Sequence, residues 1–345
     1  MVKAQITAID YYLPQTILTN DELAQLYPTW PARLVEEKTG IRGRHIAAPD
    51  ETAADMAVKA AQKLLDRNAC TAEDIDFLML CTESPDHFLP ASACLIQNRL
   101  GIPKKCGAFD FNLGCSGFVY GLAVSRALIE NGVATTVLLL TADTYTKFIH
   151  PMDRSVRTLF GDAATATLVR QIAANGSGDP LIGPFVFGTD GSGADLLIVP
   201  AGGLRLPRSS QTAVEVTDEK GNTRSKENLF MNGPAILTFS MAAVPALVDK
   251  LLCESGLERD SVDAYVFHQA NKLMLDMLRK QCKIPPERFV VNLADKGNTV
   301  GSTIPIALAD AHRAGRIKPN ARVMLVGFGV GLSWAGALCV VPECL

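Results

Sequence analysis

Apolar residues along the chain gather into short continuous runs, separated by helical patterns and by turns containing Gly or Pro. Val2 to Tyr12 reads as an opening strand. Thr52 stands as an N-cap before Ala53 to Asp66, where Ala, Met, Val and Leu recur at helical spacing. Ile75 to Cys81 is a second strand-like run, followed by a helical pattern from Ala91 to Leu100. A third apolar stretch ends at Phe111 and passes through Asn112-Leu113-Gly114-Cys115-Ser116-Gly117 into a helical pattern from Phe118 to Glu130. Val137 to Leu140 and Thr165 to Val169 add two more strands. Strands alternating with helices predict an α/β fold.

The pattern then repeats. Val262-Asp263-Ala264-Tyr265-Val266-Phe267-His268, followed by a helical pattern from Asn271 to Lys280, parallels Ile75 to Cys81 and its helix. Each copy continues through a Pro-containing link, Gly101-Ile102-Pro103 or Lys283-Ile284-Pro285, and closes on a β-rich run, Val137 to Leu140 or Val323 to Val326. The offset is roughly 185 residues throughout, the signature of an internal duplication. Gly114-Cys115 in the first copy falls against Gly297-Asn298 in the second, which predicts equivalent helix starts for Cys115 and Asn298. His268 ends a strand of the second half. Halves packed about a pseudo-twofold axis would collect all three in one cleft. The expected division is residues 1–174 and 175–345, with an irregular, exposed loop or hairpin from Pro200 to Asn228.

Composition narrows the function classes. A chain of 345 residues with 48% hydrophobic and 20% charged content buries a large core. A net charge of −3 leaves no basic footprint for nucleic acid or an anionic membrane. No N-terminal signal segment and no uninterrupted apolar run of bilayer length is evident, so the expected address is the cytosol. Nine cysteines without paired CxxC spacing predict reduced thiols rather than disulfides or a metal site; Cys70, Cys106, Cys253, Cys282, Cys339 and Cys344 read as packing or surface residues. His45, His87, His150 and His312 read as solvent-facing or structural.

Cys115 carries the chemistry. A thiolate at a helix N-terminus gains roughly 0.3–1 kcal/mol from the dipole and unpaired N–H groups, and up to ~2 kcal/mol if partly buried. At about 1.4 kcal/mol per pKa unit that lowers a thiol by about one unit, so a nucleophile there needs a further partner. The Gly-rich stretch from Gly327 is followed by apolar, β-like residues rather than a helix, which argues against a phosphate loop.

The strand, turn and helix pattern with Cys, His and Asn resembles the thiolase superfamily, and within it the ketoacyl-ACP synthase III branch. The matching segments are Lys38-Thr39-Gly40-Ile41-Arg42, Phe160-Gly161-Asp162-Ala163-Ala164, His268-Gln269-Ala270-Asn271, Gly297-Asn298-Thr299 and Gly327-Phe328-Gly329-Val330-Gly331-Leu332-Ser333-Trp334. The resemblance implies a five-layered α-β-α-β-α arrangement of two pseudo-duplicated halves. It implies that Cys115 accepts an acyl group from acyl-CoA or an acyl carrier and condenses it with decarboxylating malonyl-ACP, without cofactor or metal. His268 and Asn298 would hold the enolate oxygen, and backbone N–H groups of Cys115 and of the Gly329-Val330 turn would form a second oxyanion hole. Substrate contacts are implied at Leu34, Arg42, Leu89, Arg154, Leu159, Phe160, Asn271 and Phe328, with Arg154 packing on the adenine of coenzyme A. A homodimer pairing through Gly107 to Phe111 and docking of acyl carrier protein are implied as well.

Departures from that pattern bear on specificity. Leu34 stands where a tryptophan is usual, with Trp30 nearby as a replacement aromatic face. Leu273 replaces a basic residue, with Lys272 adjacent, and Val330 replaces a glycine. Leu89, beside Phe88, replaces the phenylalanine that closes the acyl pocket in members using acetyl groups, which implies room for longer primers. Two other functions remain open at this level: an acyltransferase or thioesterase passing the acyl-Cys115 intermediate to oxygen, nitrogen or water, and a non-catalytic partner subunit.

Overall fold

In a computed structural model, which describes residues 2–173, 181–343 and 345, nine strands build two sheets. In chain order they are β1 (Val2–Tyr12), β2 (Phe77–Cys81), β3 (Gly107–Phe111), β4 (Thr136–Asp143), β5 (Ala163–Ala173), β6 (Ile182–Thr189), β7 (Ala264–Phe267), β8 (Arg322–Gly329) and β9 (Ser333–Val340). The first sheet runs β1-β5-β4-β2-β3 and the second β7-β8-β9-β6. In the first, β4-β2 and β2-β3 are parallel, while β1-β5 and β4-β5 are antiparallel. In the second, β7-β8 is parallel, and β8-β9 and β9-β6 are antiparallel. The two orders are the same topology; the second copy of β3 is reduced to a parallel bridge between Tyr265 and Phe289. The expected division between residues 174 and 175, like Cys344, lies outside the described residues.

The helices explain the layering. Those that pack along the sheets are α1 (Ala53–Asp66), α2 (Ser92–Arg99), α3 (Gly117–Glu130), α4 (Gly233–Ser255), α5 (Lys272–Gln281) and α6 (Thr303–Arg313). On β4, Leu138 and Leu140 point to a core with Ala57, Ala61 and Leu64 of α1, whereas Val137 and Leu139 point to a core with Phe118 and Leu122 of α3. On β8, Val323 and Leu325 join that same central core with Ile304 and Leu308 of α6, while Met324 and Val326 face Val244 and Leu251 of α4. Both faces of each sheet are therefore covered, which is why these strands read as continuous apolar runs rather than alternating ones. Helices α3 and α6 are shared between the sheets, giving the five layers.

Thr52 caps α1 as expected: its side chain accepts from Asp55 N–H and the Asp55 carboxylate accepts from Thr52 N–H, a reciprocal box. One helix, α4, approaches a membrane-spanning composition, although Thr238, Ser240, Asp249 and Lys250 interrupt its apolar residues. Its 23 residues have a mean hydropathy of 1.7 in their most apolar window, long and apolar enough to cross a bilayer by length and composition alone. Ile236, Val244, Leu247, Val248 and Leu251 of α4 are instead buried against the second sheet, which calls for the same apolarity as lipid.

The loop from Pro200 to Asn228 carries a minimal hairpin, Val216–Thr217 paired with Thr223–Arg224. Arg224 fixes it by ion pairs to buried Asp153, at 2.9 Å, and to Asp218, at 3.1 Å.

The shared central layer makes a specific demand on Leu139. It is fully buried on β4, and its methyl groups occupy the space that a Cβ on Gly121 of α3 would take, 2.5 Å away. Leu139→Ala is expected to cost about 2–5 kcal/mol. The measure is the denaturant midpoint at unchanged transition slope; a midpoint shift below about 1 kcal/mol equivalent contradicts this packing.

Candidate active site

Cys115 lies between β3 and α3, with Gly117 N–H closing a turn onto the Gly114 carbonyl at 2.8 Å. Ser116, next in the chain, bonds across the halves to Ser333 of β9, Oγ to Oγ, at 2.7 Å. The end of β8 presses directly on this turn. A Cβ at Gly327 would stand 2.6 Å from the Cys115 carbonyl oxygen, and one at Gly329 would stand 2.7 Å from Cys115 Sγ. The glycines of the Gly327 stretch are there for this approach, and the strand hairpin β8-β9 that follows excludes a phosphate loop.

His268 follows β7 and is held by its own N–H to the Val326 carbonyl at 2.8 Å. Its Nδ1 lies 2.7 Å from Thr303 Oγ1 at the start of α6, and its ring meets Phe328 edge to face with centroids 5.6 Å apart. Asn298 is fixed by backbone bonds, from its N–H to the Leu159 carbonyl at 2.9 Å and from Gly161 N–H to its carbonyl at 3.0 Å. Its side-chain Oδ1 accepts from Val300 N–H at 3.0 Å, which turns the Nδ2 amide, a pure donor, toward the site. Cys115, His268 and Asn298 line one narrow channel of about 70 Å³ with Leu159, Phe160, Asn271, Phe328 and Gly329. Asn271 also caps α5, accepting from Met274 N–H at 2.9 Å.

Two expectations are corrected. Asn298 is not at a helix start equivalent to that of Cys115: a 3₁₀ turn, Val300–Ser302, intervenes before α6, and the backbone position facing Gly114 is Gly301. The Cys115 thiol is not eased toward the thiolate either. It is 4% exposed, burial pushes its pKa well up, and the nearby Glu83 carboxylate pushes the same way. N–H groups of Val330 and of Cys115 itself act on the sulfur in the opposite sense but do not prevail. A helix terminus supplies roughly 0.3–1 kcal/mol, which desolvation of a buried anion outweighs. His268 is pulled down to about 3 by burial, opposed by a bond to the Val300 carbonyl, so its imidazole is neutral at physiological pH. The resting pair is thus thiol and imidazole rather than thiolate and imidazolium.

The remaining expected contacts divide. Leu159, Phe160, Asn271 and Phe328 reach the channel. Arg154 lies near the Trp30 ring, its guanidinium carbon 5.3 Å from the centroid, with Lys38 Nζ 4.7 Å from that ring. Leu34, half-buried on the Ala32–Thr39 helix, and Arg42, exposed, do not line the channel. Leu89 is 82% exposed and does not enter its own chain's site.

Sequence reasoning passed over three groups beside the nucleophile. Glu83 follows β2, Asp143 ends β4, and Tyr145 comes two residues later; the Tyr145 hydroxyl donates to Glu83 Oε2, and Asp143 Oδ1 accepts from Glu83 N–H at 2.8 Å. The signal was present, since carboxylates at the C-terminal ends of neighbouring parallel strands point into the functional crevice of an α/β fold. Burial raises the Asp143 pKa well above its ordinary value, with Glu83 adding to it, and burial pushes Glu83 up to about 7.

These shifts fix a pH dependence. Between its ordinary value near 4.5 and about 7, Glu83 binds more proton in the native state than in the unfolded one, so its contribution to stability falls as pH rises through 7. Glu83→Gln is expected to gain stability relative to the parent on going from pH 5 to pH 8, with thermal melts at both pH values as the check. An unchanged difference contradicts the assignment.

Comparison with known proteins agrees with this geometry. The family model for 3-oxoacyl-[acyl-carrier-protein] synthase III matches residues 109–191, and its C-terminal counterpart matches residues 252–341. A beta-ketoacyl-[acyl-carrier-protein] synthase III of Caldanaerobacter subterraneus subsp. tengcongensis is 34% identical over 98% of this chain and 97% of that protein. A solved 3-oxoacyl-(acyl-carrier-protein) synthase III superposes with a TM-score of 0.95 at 54% identity, covering 98% of this chain and 99% of the other. A 3-oxoacyl-(acyl-carrier protein) synthase from Burkholderia xenovorans LB400 superposes at 0.90 with 36% identity, over 100% of this chain and 96% of its own. With a Cys-His-Asn channel at the seam of two like sheets and relatives matched end to end, the chain belongs to the 3-oxoacyl-[acyl-carrier-protein] synthase III family.

Proposed function

We propose that this protein is an acyltransferase that starts acyl chains by decarboxylative condensation, loading an acyl group from acyl-CoA onto Cys115 and joining it to malonyl-ACP. The observation that carries the proposal is the convergence of a buried thiol, an imidazole and an oriented amide donor on one channel, with two backbone N–H groups at the sulfur.

Each step follows from those groups. Cys115 Sγ bonds to the thioester carbonyl carbon, and the coenzyme thiolate leaves and takes up the thiol's proton. The carbonyl oxygen of the tetrahedral intermediate accepts from Cys115 and Val330 N–H. Malonyl-ACP then loses carbon dioxide. The electron pair of the broken C–C bond moves into an enolate whose oxygen accepts from the Asn298 amide and from an imidazole N–H of His268. The Thr303 hydroxyl has one proton and two neighbours, His268 Nδ1 at 2.7 Å and the Val300 carbonyl at 3.1 Å; given to Nδ1, that proton leaves the neutral ring its own on Nε2, the donor needed here. The enolate carbon attacks the acyl-Cys115 carbonyl, and Sγ departs. Sγ leaves as a thiolate, and one proton from solvent returns it to the thiol, so the bond changes balance with these residues, the two substrates and that proton. Simple acyl transfer to water or an alcohol forms no enolate and has no use for the Asn298 donor.

Surroundings support the same substrates. Trp30 and Arg154 form an aromatic and cationic pair where the adenine of coenzyme A would stack, with Trp30 supplying the face that Leu34 lacks. Lys220 of the hairpin loop, through its carbonyl, and Thr29 hold the Arg154 guanidinium.

The protein is further proposed to be a homodimer. Strand β3 is at the sheet edge, pairs among the described residues only with β2, and leaves all five residues, Phe109 and Phe111 among them, partly exposed. An apolar edge strand of this kind calls for a partner. A second copy would also cover Phe88 and Leu89, which are 81% and 82% exposed.

Asn298→Ala should leave Cys115 loading by acyl-CoA intact in the intact mass while slowing carbon dioxide release from malonyl-ACP by roughly 10²–10³-fold. Cys115→Ala should show no added mass at all. Unchanged decarboxylation in Asn298→Ala would remove the case for condensation. Light scattering at micromolar concentration should give a dimer, and an active monomer would contradict the edge pairing.

A further inference from the structure

Beside the Cys115 channel lies a further cavity of about 290 Å³. Its lining includes Glu83, Asn112, Tyr145, Phe148, Leu229 and Val330. Val330 ties it to the nucleophile, because the N–H of this residue faces Cys115 Sγ while the residue itself lines the cavity. Leu197 lines both spaces, so they adjoin. An acyl group whose carbonyl oxygen sits on the Cys115 and Val330 N–H groups, and whose leaving thiol occupies the access channel, has this cavity as the place for its chain.

Phe148, Ala194, Leu197, Ile198, Val199 and Leu229 make most of the wall apolar, but Glu83 sets a carboxyl group into it. Glu83 enters it with its carboxylate against the Gly114 backbone; a Cβ on Gly114 would lie 2.3 Å from Glu83 Oε2, so glycine there admits the carboxylate. Oε2 accepts from the Tyr145 hydroxyl, and among the described residues Oε1 takes no protein hydrogen bond. Asp143, 1% exposed, stands behind, with Oδ1 on Glu83 N–H and Oδ2 without a partner among the described residues. Packing methylenes against such a group seals an unpaired carboxyl oxygen away from water, which is unfavourable. A hydroxyl on the chain removes that cost. It donates to the charged carboxylate and accepts from the protonated acid, so it suits both forms of a group poised at about 7. A primer ending in a carboxylate meets Glu83 and Asp143 and is disfavoured.

Resting on the condensing function proposed above, we infer that the preferred primer is a short acyl thioester bearing a hydroxyl group on its chain, selected by Glu83 and Tyr145.

The test is kcat/KM for loading of Cys115, read by intact mass, with 3-hydroxybutanoyl-CoA and 5-hydroxypentanoyl-CoA against butanoyl-CoA and pentanoyl-CoA. At least one hydroxylated primer is expected to load about tenfold or more faster than its alkyl counterpart, the direction set by a site built to bond a substrate hydroxyl. Glu83→Leu should invert the order, and Glu83→Gln, which keeps the shape, should reduce the ratio. Alkyl primers loading as fast as or faster than both hydroxylated ones in the parent protein overturn the inference and leave the condensing function standing. Failure of all four thioesters to load Cys115 overturns both.

Discussion

The contact between the end of β8 and the nucleophile turn is the constraint on which the site depends. Gly327 and Gly329 have no room for a side chain because the Cys115 carbonyl and sulfur occupy it. That approach brings the second half of the duplicated fold to the nucleophile of the first, places Val330 N–H at the sulfur, and lets Ser333 reach Ser116. A methyl group at either glycine would separate the halves locally, and with them the donors from the acceptor. The central layer enforces the same distance from below: α3 and α6 are packed by both sheets, so neither half can shift without opening a core shared by Leu139, Phe118, Ile304 and Leu325.

Enclosure is the second theme. The channel is narrow and nearly all its polar groups are buried, which raises the thiol, lowers the imidazole and leaves both neutral at rest. Such a site is poorly reactive when empty and is built for charge that appears only during reaction. Each place where negative charge develops has donors already aimed at it: two backbone N–H groups at the acyl carbonyl, and the Asn298 amide with His268 at the enolate. Their orientation is fixed before substrate arrives, by Val300 N–H on Asn298 Oδ1 and by Thr303 on His268 Nδ1. Preorganised donors in a low dielectric stabilise transition-state charge with little reorganisation. Glu83 and Asp143 are the exception, acidic groups held close to a reacting sulfur whose anion they oppose, and their presence is best understood through the chain they face rather than the thiol.

The sequence by itself determined the architecture and most of the chemistry. Runs such as Val137 to Leu140 specify strands buried on both faces, Thr52 with Asp55 specifies the start of α1, and the repeated pattern specifies two halves of like topology. These are local properties, written in residues that are neighbours in the chain, and the Cys115, His268 and Asn298 motifs are local in the same sense. Tertiary structure decided what depends on distance and solvent. The helix start that favours a Cys115 thiolate is legible in sequence, but its desolvation is not, because the burying residues come from Leu197, Phe328 and Val330 far along the chain. The same holds for Glu83 and Tyr145, separated by 62 positions and joined only when β2 and β4 lie side by side. Asn298 shows the limit of alignment by repeat: a short 3₁₀ turn displaced it from the helix start that the duplication implied, and its backbone bonds to Leu159 and Gly161, with Val300 N–H on Oδ1, hold its amide at the channel. Sequence encodes which groups are available, whereas charge state and partnership follow from the field and the contacts of residues distant in sequence.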